Sequence, residues 1–116
     1  MSRQRAERGG RRAETLAAWW LRLKMWTILG RRVRTPVGEI DLVARRGRTL
    51  AFVEVKARGS AAQAALALDD YRLRRVAAAA EALVPRYAKA GDTIRIDAIF
   101  VVPGRLPRHV ANIWQG

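Results

Sequence analysis

From Ala13 onward the apolar residues recur at helical spacing. Leu16, Trp19, Trp20, Leu23 and Trp26 follow the i, i+3, i+4, i+7 rule, which predicts a helix over 13–28 stopped by Gly30. A second stripe, Ala18, Leu21 and Met25, runs down another side and is headed by Glu14. Apolar surface on two sides predicts a helix packed between layers, or one with an exposed face. Tryptophans at this spacing are more often core residues than base-stacking platforms, so core is the expectation. The period then changes to two. Arg31–Thr35 reads as a short strand ending before Pro36, and GEIDLVARRGRTLAFVEVKAR reads as two strands, 38–46 and 49–57, around Arg46-Gly47-Arg48.

Gly59-Ser60 and the following AAQAALAL read as a loop or a short helix. Asp69 or Asp70 caps a second helix over 69–84, with Leu73, Val76, Ala77, Ala80, Leu83 and Val84 as its apolar face and Pro85 as its stop. Arg72 and Arg75 lie on its other side. TIRIDAIFVV (93–102) reads as a buried strand, and His109–Trp114 as a last edge strand. This order predicts an α/β fold: a mixed sheet of about five strands flanked by helices. Residues 1–12, basic and almost without apolar side chains, read as a flexible basic arm ahead of a single domain, 13–116.

The 116 residues allow one core, and the absence of cysteine excludes disulfides, thiol nucleophiles and thiolate metal sites. No run approaches the ~20 apolar residues of a membrane span, and no export signal is visible, so a cytoplasmic protein without a membrane partner is expected. Lys+Arg number 23 against 10 Asp+Glu, a net charge of +13, which suits a polyanion such as nucleic acid. A GC-rich genome would explain Arg in place of Lys but not so large an imbalance. The arginines expected to contact phosphate are Arg11 and Arg12 in the arm, Arg31, Arg32 and Arg34, Arg46 and Arg48 at the turn, and Arg58.

The hairpin carries the candidate chemistry. With Gly47-Arg48 as a two-residue type II′ turn, facing residue numbers add to 95, so Asp41 falls opposite Glu54 and Glu39 opposite Lys56. Those four side chains would share one face, and Ile40, Leu42, Ala44, Ala51, Val53 and Val55 the other. Carboxylates this close repel unless a cation sits between them. Oxygen ligands with room for water and phosphate suit Mg²⁺ or Mn²⁺, with Asp41 and Glu54 as ligands and Lys56 positioning water or phosphate. The bland alternative is a strand end with Glu39–Lys56 as a surface ion pair.

GEIDLVARRGRTLAFVEVKAR resembles the signature of the YraN-like proteins, an uncharacterised-protein (UPF) family of bacteria. It is also similar to the PD-(D/E)xK restriction-endonuclease-like superfamily, including archaeal Holliday junction resolvases. The resemblance implies a three-layer restriction-endonuclease-like fold and a catalytic set of Asp41, Glu54, Lys56 and the helix glutamate Glu14. Arg95-Ile96-Asp97 resembles a family strand, whereas Asp69 and Asp70 stand where the family usually carries a lysine. The function implied is a Mg²⁺-dependent endonuclease acting on branched or damaged DNA, working as a homodimer in which the helix tryptophans are one contact. The alternative is a non-catalytic nucleic-acid-binding protein that keeps the nuclease fold. Asp97 is expected to form a structural ion pair with Arg95, and His109 to be incidental.

Overall fold

The computed structural model describes residues 3–60, 62–63 and 69–114, with backbone only for 3–9. Helix α1 (Arg3–Leu23) is followed by strands β1 (Thr27–Thr35), β2 (Gly38–Arg46) and β3 (Thr49–Ala57). Helix α2 (Asp70–Tyr87) and strands β4 (Thr93–Val101) and β5 (Arg108–Val110) complete the chain. Most of the segment read between 59 and 68 as a loop or short helix lies outside the described residues.

The strands form one mixed sheet in the order β1-β2-β3-β4-β5. Only β3 and β4 are parallel, and the chain between them contains α2. One core cluster packs α1 (Ala13, Ala17, Ala18, Leu21) on Leu42, Val53 and Ile99. The other packs α2 (Val76, Ala79, Ala80, Leu83) on Val43, Leu50, Phe52 and Ile96. The result is the three-layer α/β arrangement expected. Among the described residues no helix is long and apolar enough to cross a membrane.

Both hairpin strands keep the expected bounds, and the pairs Leu42↔Val53 through Arg46↔Thr49 keep the expected register. Gly47 takes φ +60°, the left-handed conformation a type II′ turn requires at its first central position.

Other expectations need correcting. Residues 3–12, read as part of a flexible arm, are the first turns of α1. The helix ends at Leu23 rather than 28, by a Schellman motif: Trp26 N–H donates to Leu21 O at 2.9 Å and Met25 N–H to Arg22 O at 3.0 Å. Met25 takes φ +71°. Gly30, read as the helix stop, lies inside β1. A Cβ there would come within 2.8 Å of Tyr87 Oη, so glycine serves close packing.

The face of α1 is also reversed. The small residues Ala13, Ala17 and Ala18 face the sheet, because a helix lying closely on strands has no room for indole rings there. Leu16, Trp19 and Leu23 are 52%, 59% and 73% exposed, and of that stripe Trp26 alone is fully buried. Pro85 does not end α2, which runs on to Tyr87. The last strand is only Arg108–Val110.

Ile40 packs in the α2-side core while Leu42 packs in the α1-side core, so the expected alternation breaks at Asp41. Across the ladder, Arg32 has φ +50°, between the pairs Arg31↔Leu42 and Val33↔Ile40. Both strands therefore coil at the level of Asp41.

Candidate active site

The coil in β2 is what shapes the site. Antiparallel β2–β3 pairing runs from the turn to Leu42↔Val53. One step further, the Val55 amide donates to Asp41 Oδ2 at 2.8 Å. The strands part there, and the carboxylate takes the place of a ladder acceptor. Burial pushes the Asp41 carboxyl up to about 7, with the charge of Glu54 adding to the rise and the Val55 bond opposing it.

Glu54 is buried in β3, and Lys56 Nζ lies 2.9 Å from its Oε1. The pairing expected under the bland alternative is therefore replaced. Lys56 pairs with Glu54, and Glu39 lies 3.5 Å from the exposed Arg34 Nε. Glu14, buried on α1, accepts from Arg32 Nε at 2.6 Å. Its charge, like that of Glu54, raises the Asp41 carboxyl. The four residues expected to carry catalysis therefore come together at the end of the hairpin away from its turn.

A cleft of about 300 Å³ opens beside Glu54 and Lys56, and neither Asp41 nor Glu14 is among the residues that line it. It is lined by Gly38 and Glu39 of β2, Glu54 and Lys56 of β3, and Tyr71, Arg72, Arg75 and Val76 of α2. Arg72 and Arg75 were visible only as an i, i+3 pair on the polar side of α2. The sequence holds no signal that this side faces the hairpin end.

The arginines expected to contact nucleic acid are dispersed. Arg46 stacks over Trp26, 4.6 Å from the ring centroid, and donates to Lys24 O. It and Arg48 lie at the turn, Arg46 five residues from Asp41 and Arg48 six from Glu54, which is ~17–20 Å along a strand. Arg31 donates to Thr15 Oγ1, and Arg32 is held by Glu14. Arg12 and Arg58 border a second cavity of about 630 Å³, mostly apolar, with Leu16 and Leu106 in its walls. Arg11 is exposed on α1.

His109, expected to be incidental, is structural. Its Nε2 lies 2.7 Å from Asp97 Oδ2, and Asp97 also accepts from Arg95 and from the Asn112 amide. The expected Arg95–Asp97 pair is present at 2.8 Å.

Among the described residues no three His, Cys, Asp or Glu side chains are gathered so as to hold a metal ion by themselves. Mg²⁺ commonly takes only one or two carboxylates and completes its shell with water and substrate phosphate. Asp41 and Glu54 fit that pattern: two hard oxygen donors, with burial first and the charge of Glu54 second raising Asp41, a repulsion that a cation would relieve.

The fold and this cluster define a three-layer α/β domain with an acidic and lysine-bearing site at the open end of a hairpin. The chain matches the family described as Uncharacterised protein family UPF0102 over residues 13–101. It is 64% identical over 115 residues to a UPF0102 protein of Sphingopyxis alaskensis, covering 99% of both chains. It is 62% identical over 114 residues to one of Rhizorhabdus wittichii, covering 98% of this chain and 97% of the relative. A third, from Erythrobacter litoralis, is 59% identical over 115 residues and 99% of each chain. The chain belongs to the UPF0102 family.

Proposed function

We propose that this protein is a Mg²⁺- or Mn²⁺-dependent endonuclease acting on DNA, of the PD-(D/E)xK, resolvase-like kind. The observation that carries the reading is that Glu54 and Lys56 line a cleft together with Arg72 and Arg75, while Asp41 is held by the amide of Val55, between Glu54 and Lys56 in β3. In this reading the arginines hold the phosphate backbone, and Asp41 and Glu54 hold the ion. Lys56, fixed by Glu54, keeps positive charge beside the reacting phosphate. The ion would lower the pKa of a bound water and neutralise developing charge on the phosphate. Hydrolysis adds a water oxygen to phosphorus, breaks one P–O ester bond and returns a proton to the leaving oxygen. Glu14 acts by holding Arg32 and adding negative charge near Asp41.

A homodimer belongs to this reading. Trp19 is 59% exposed on α1 and is a residue a second copy would cover. A monomer at high concentration in sedimentation would remove that part alone.

A second reading, a DNA-binding protein without hydrolysis, is favoured by one observation: Lys56 already neutralises Glu54 at 2.9 Å. The two separate cleanly. Mn²⁺ is titrated into the protein, and a four-way junction, a flap and a plain duplex are offered as substrates. Asp41→Asn and Glu54→Gln should each abolish metal binding. Lys56→Ala should keep or strengthen metal binding and lose cleavage. Metal binding without cleavage of any substrate supports the second reading. No metal binding by the unaltered protein, even with DNA present, overturns the first.

A further inference from the structure

Tyr71 lines the cleft and is 64% exposed. It occupies the second residue of α2, where nothing in the core requires an aromatic ring. Arg75, one turn along, donates to Tyr71 Oη at 3.4 Å, and its guanidinium carbon lies 6.0 Å from the ring centroid. The ring is thus steered by a cation on its own helix and stands in the same cleft as Glu54 and Lys56. An aromatic ring beside phosphate-binding cations is the pairing that single-stranded nucleic acids use, because every base has a π-face whatever its sequence.

We propose that Tyr71 is a stacking platform for one unpaired base, and that the substrate class is DNA whose strand is already unpaired next to the cut. The proposal rests on the nucleic-acid reading of the cleft and narrows it. Inside a continuous duplex a base offers only its edges, and Tyr71 could stack on it only after the base had been extruded. A fork or flap does not pay that cost. Arg72 and Arg75, exposed beside Tyr71, would then contact the phosphates on either side of the stacked base. A cleft of about 300 Å³ is at the small end of ligand sites, which suits one nucleotide rather than the width of a duplex.

The test uses the full chain with Ca²⁺ as the divalent ion, to observe binding. One probe is a forked DNA with 2-aminopurine at its first unpaired position; the other is a blunt duplex of equal length. The unaltered protein should bind the fork more tightly than the duplex and change the 2-aminopurine emission. Tyr71→Ala should weaken fork binding on the order of tenfold or more and abolish the emission change, leaving duplex binding nearly untouched. Tyr71→Phe should retain both signals, which separates stacking from the hydroxyl's contact with Arg75. Equal affinity for fork and duplex, or an unaffected Tyr71→Ala, overturns this proposal and leaves the nucleic-acid reading standing. Binding to neither probe overturns both.

Discussion

The Val55 amide donates to Asp41 Oδ2 at 2.8 Å, at the point where β2 and β3 separate. A single carboxylate thereby ends a ladder, near enough to Glu54 to feel its charge. Burial is the main reason its carboxyl rises to about 7, the charge of Glu54 adds to the rise, and the Val55 bond opposes it.

Asp41 consequently costs the fold stability at neutral pH. Its folded pKa of about 7 lies above the ordinary value of 3.8, so the folded state holds the proton more tightly. Stability is highest below the unfolded pKa, falls as pH rises from about 4 to about 7, and is flat above that. Asp41→Asn keeps an acceptor for Val55 and removes the charge. It should be more stable than the unaltered protein at pH 8, on the order of 1–3 kcal/mol, with the gain vanishing near pH 4. Urea denaturation at both pH values checks this. A variant equally stable, or less stable, at pH 8 would show that Asp41 is not strained by its neighbours.

Asp97 has the opposite sign. Burial pushes its carboxyl up, but His109, Arg95 and the Asn112 amide outweigh burial and hold it below the ordinary value. Arg45 and the Lys89 amide likewise hold Asp92 down, to about 2. Both contribute stability that is complete above about pH 4 and is lost as pH falls through their folded values. Asp97→Asn leaves Arg95 and His109 facing an uncharged partner. It should cost about 3 kcal/mol at pH 7, and much less at pH 2, in the same denaturation series.

Much of this site is legible in the sequence. The register followed from Gly47 at a two-residue turn and from strict alternation around it, so Asp41, Glu54 and Lys56 could be placed at one end of the hairpin. Alternation failed at Asp41 because both strands coil there, with Arg32 left-handed across the ladder. Ile40 therefore packs on the layer opposite to the one expected. The face of α1 was misread because hydrophobicity cannot report distance. Where a helix approaches a sheet closely the alanines win, and Trp19 is left outside. Arg72 and Arg75 read as a pair, but their place in the same cleft as Lys56 depends on how α2 lies on the sheet, which no local pattern encodes.

The early end of α1 offers a simple stability test. Met25 holds φ +71° and is 80% exposed, so it contributes backbone strain and little packing. Glycine is the residue this C′ position favours. Met25→Gly should raise stability by roughly 1 kcal/mol, measured by urea denaturation, since the relief of a left-handed backbone exceeds the added unfolded-state entropy. A destabilised variant would mean that Met25 packs more than its exposure indicates.

The final prediction separates arginines that meet DNA from those that hold the fold. Every phosphate contact releases counterions, so log K falls with log salt at a slope of about −0.9 per contact on duplex DNA and about −0.7 on a single strand. Arg72 and Arg75 line the cleft and are exposed, whereas Arg46 is stacked over the buried Trp26. Replacing Arg72 or Arg75 with Gln should therefore flatten the slope on forked DNA by about 0.7–0.9 each and leave the melting temperature almost unchanged. Arg46→Gln should do the reverse. It removes a cation–π contact and the bond to Lys24 O, costing on the order of 1 kcal/mol of stability, while the slope stays as it was. Binding isotherms at four salt concentrations, with thermal melts on the same preparations, measure both quantities. If Arg46→Gln flattens the slope and the α2 variants do not, the DNA runs past the hairpin turn and not through the cleft.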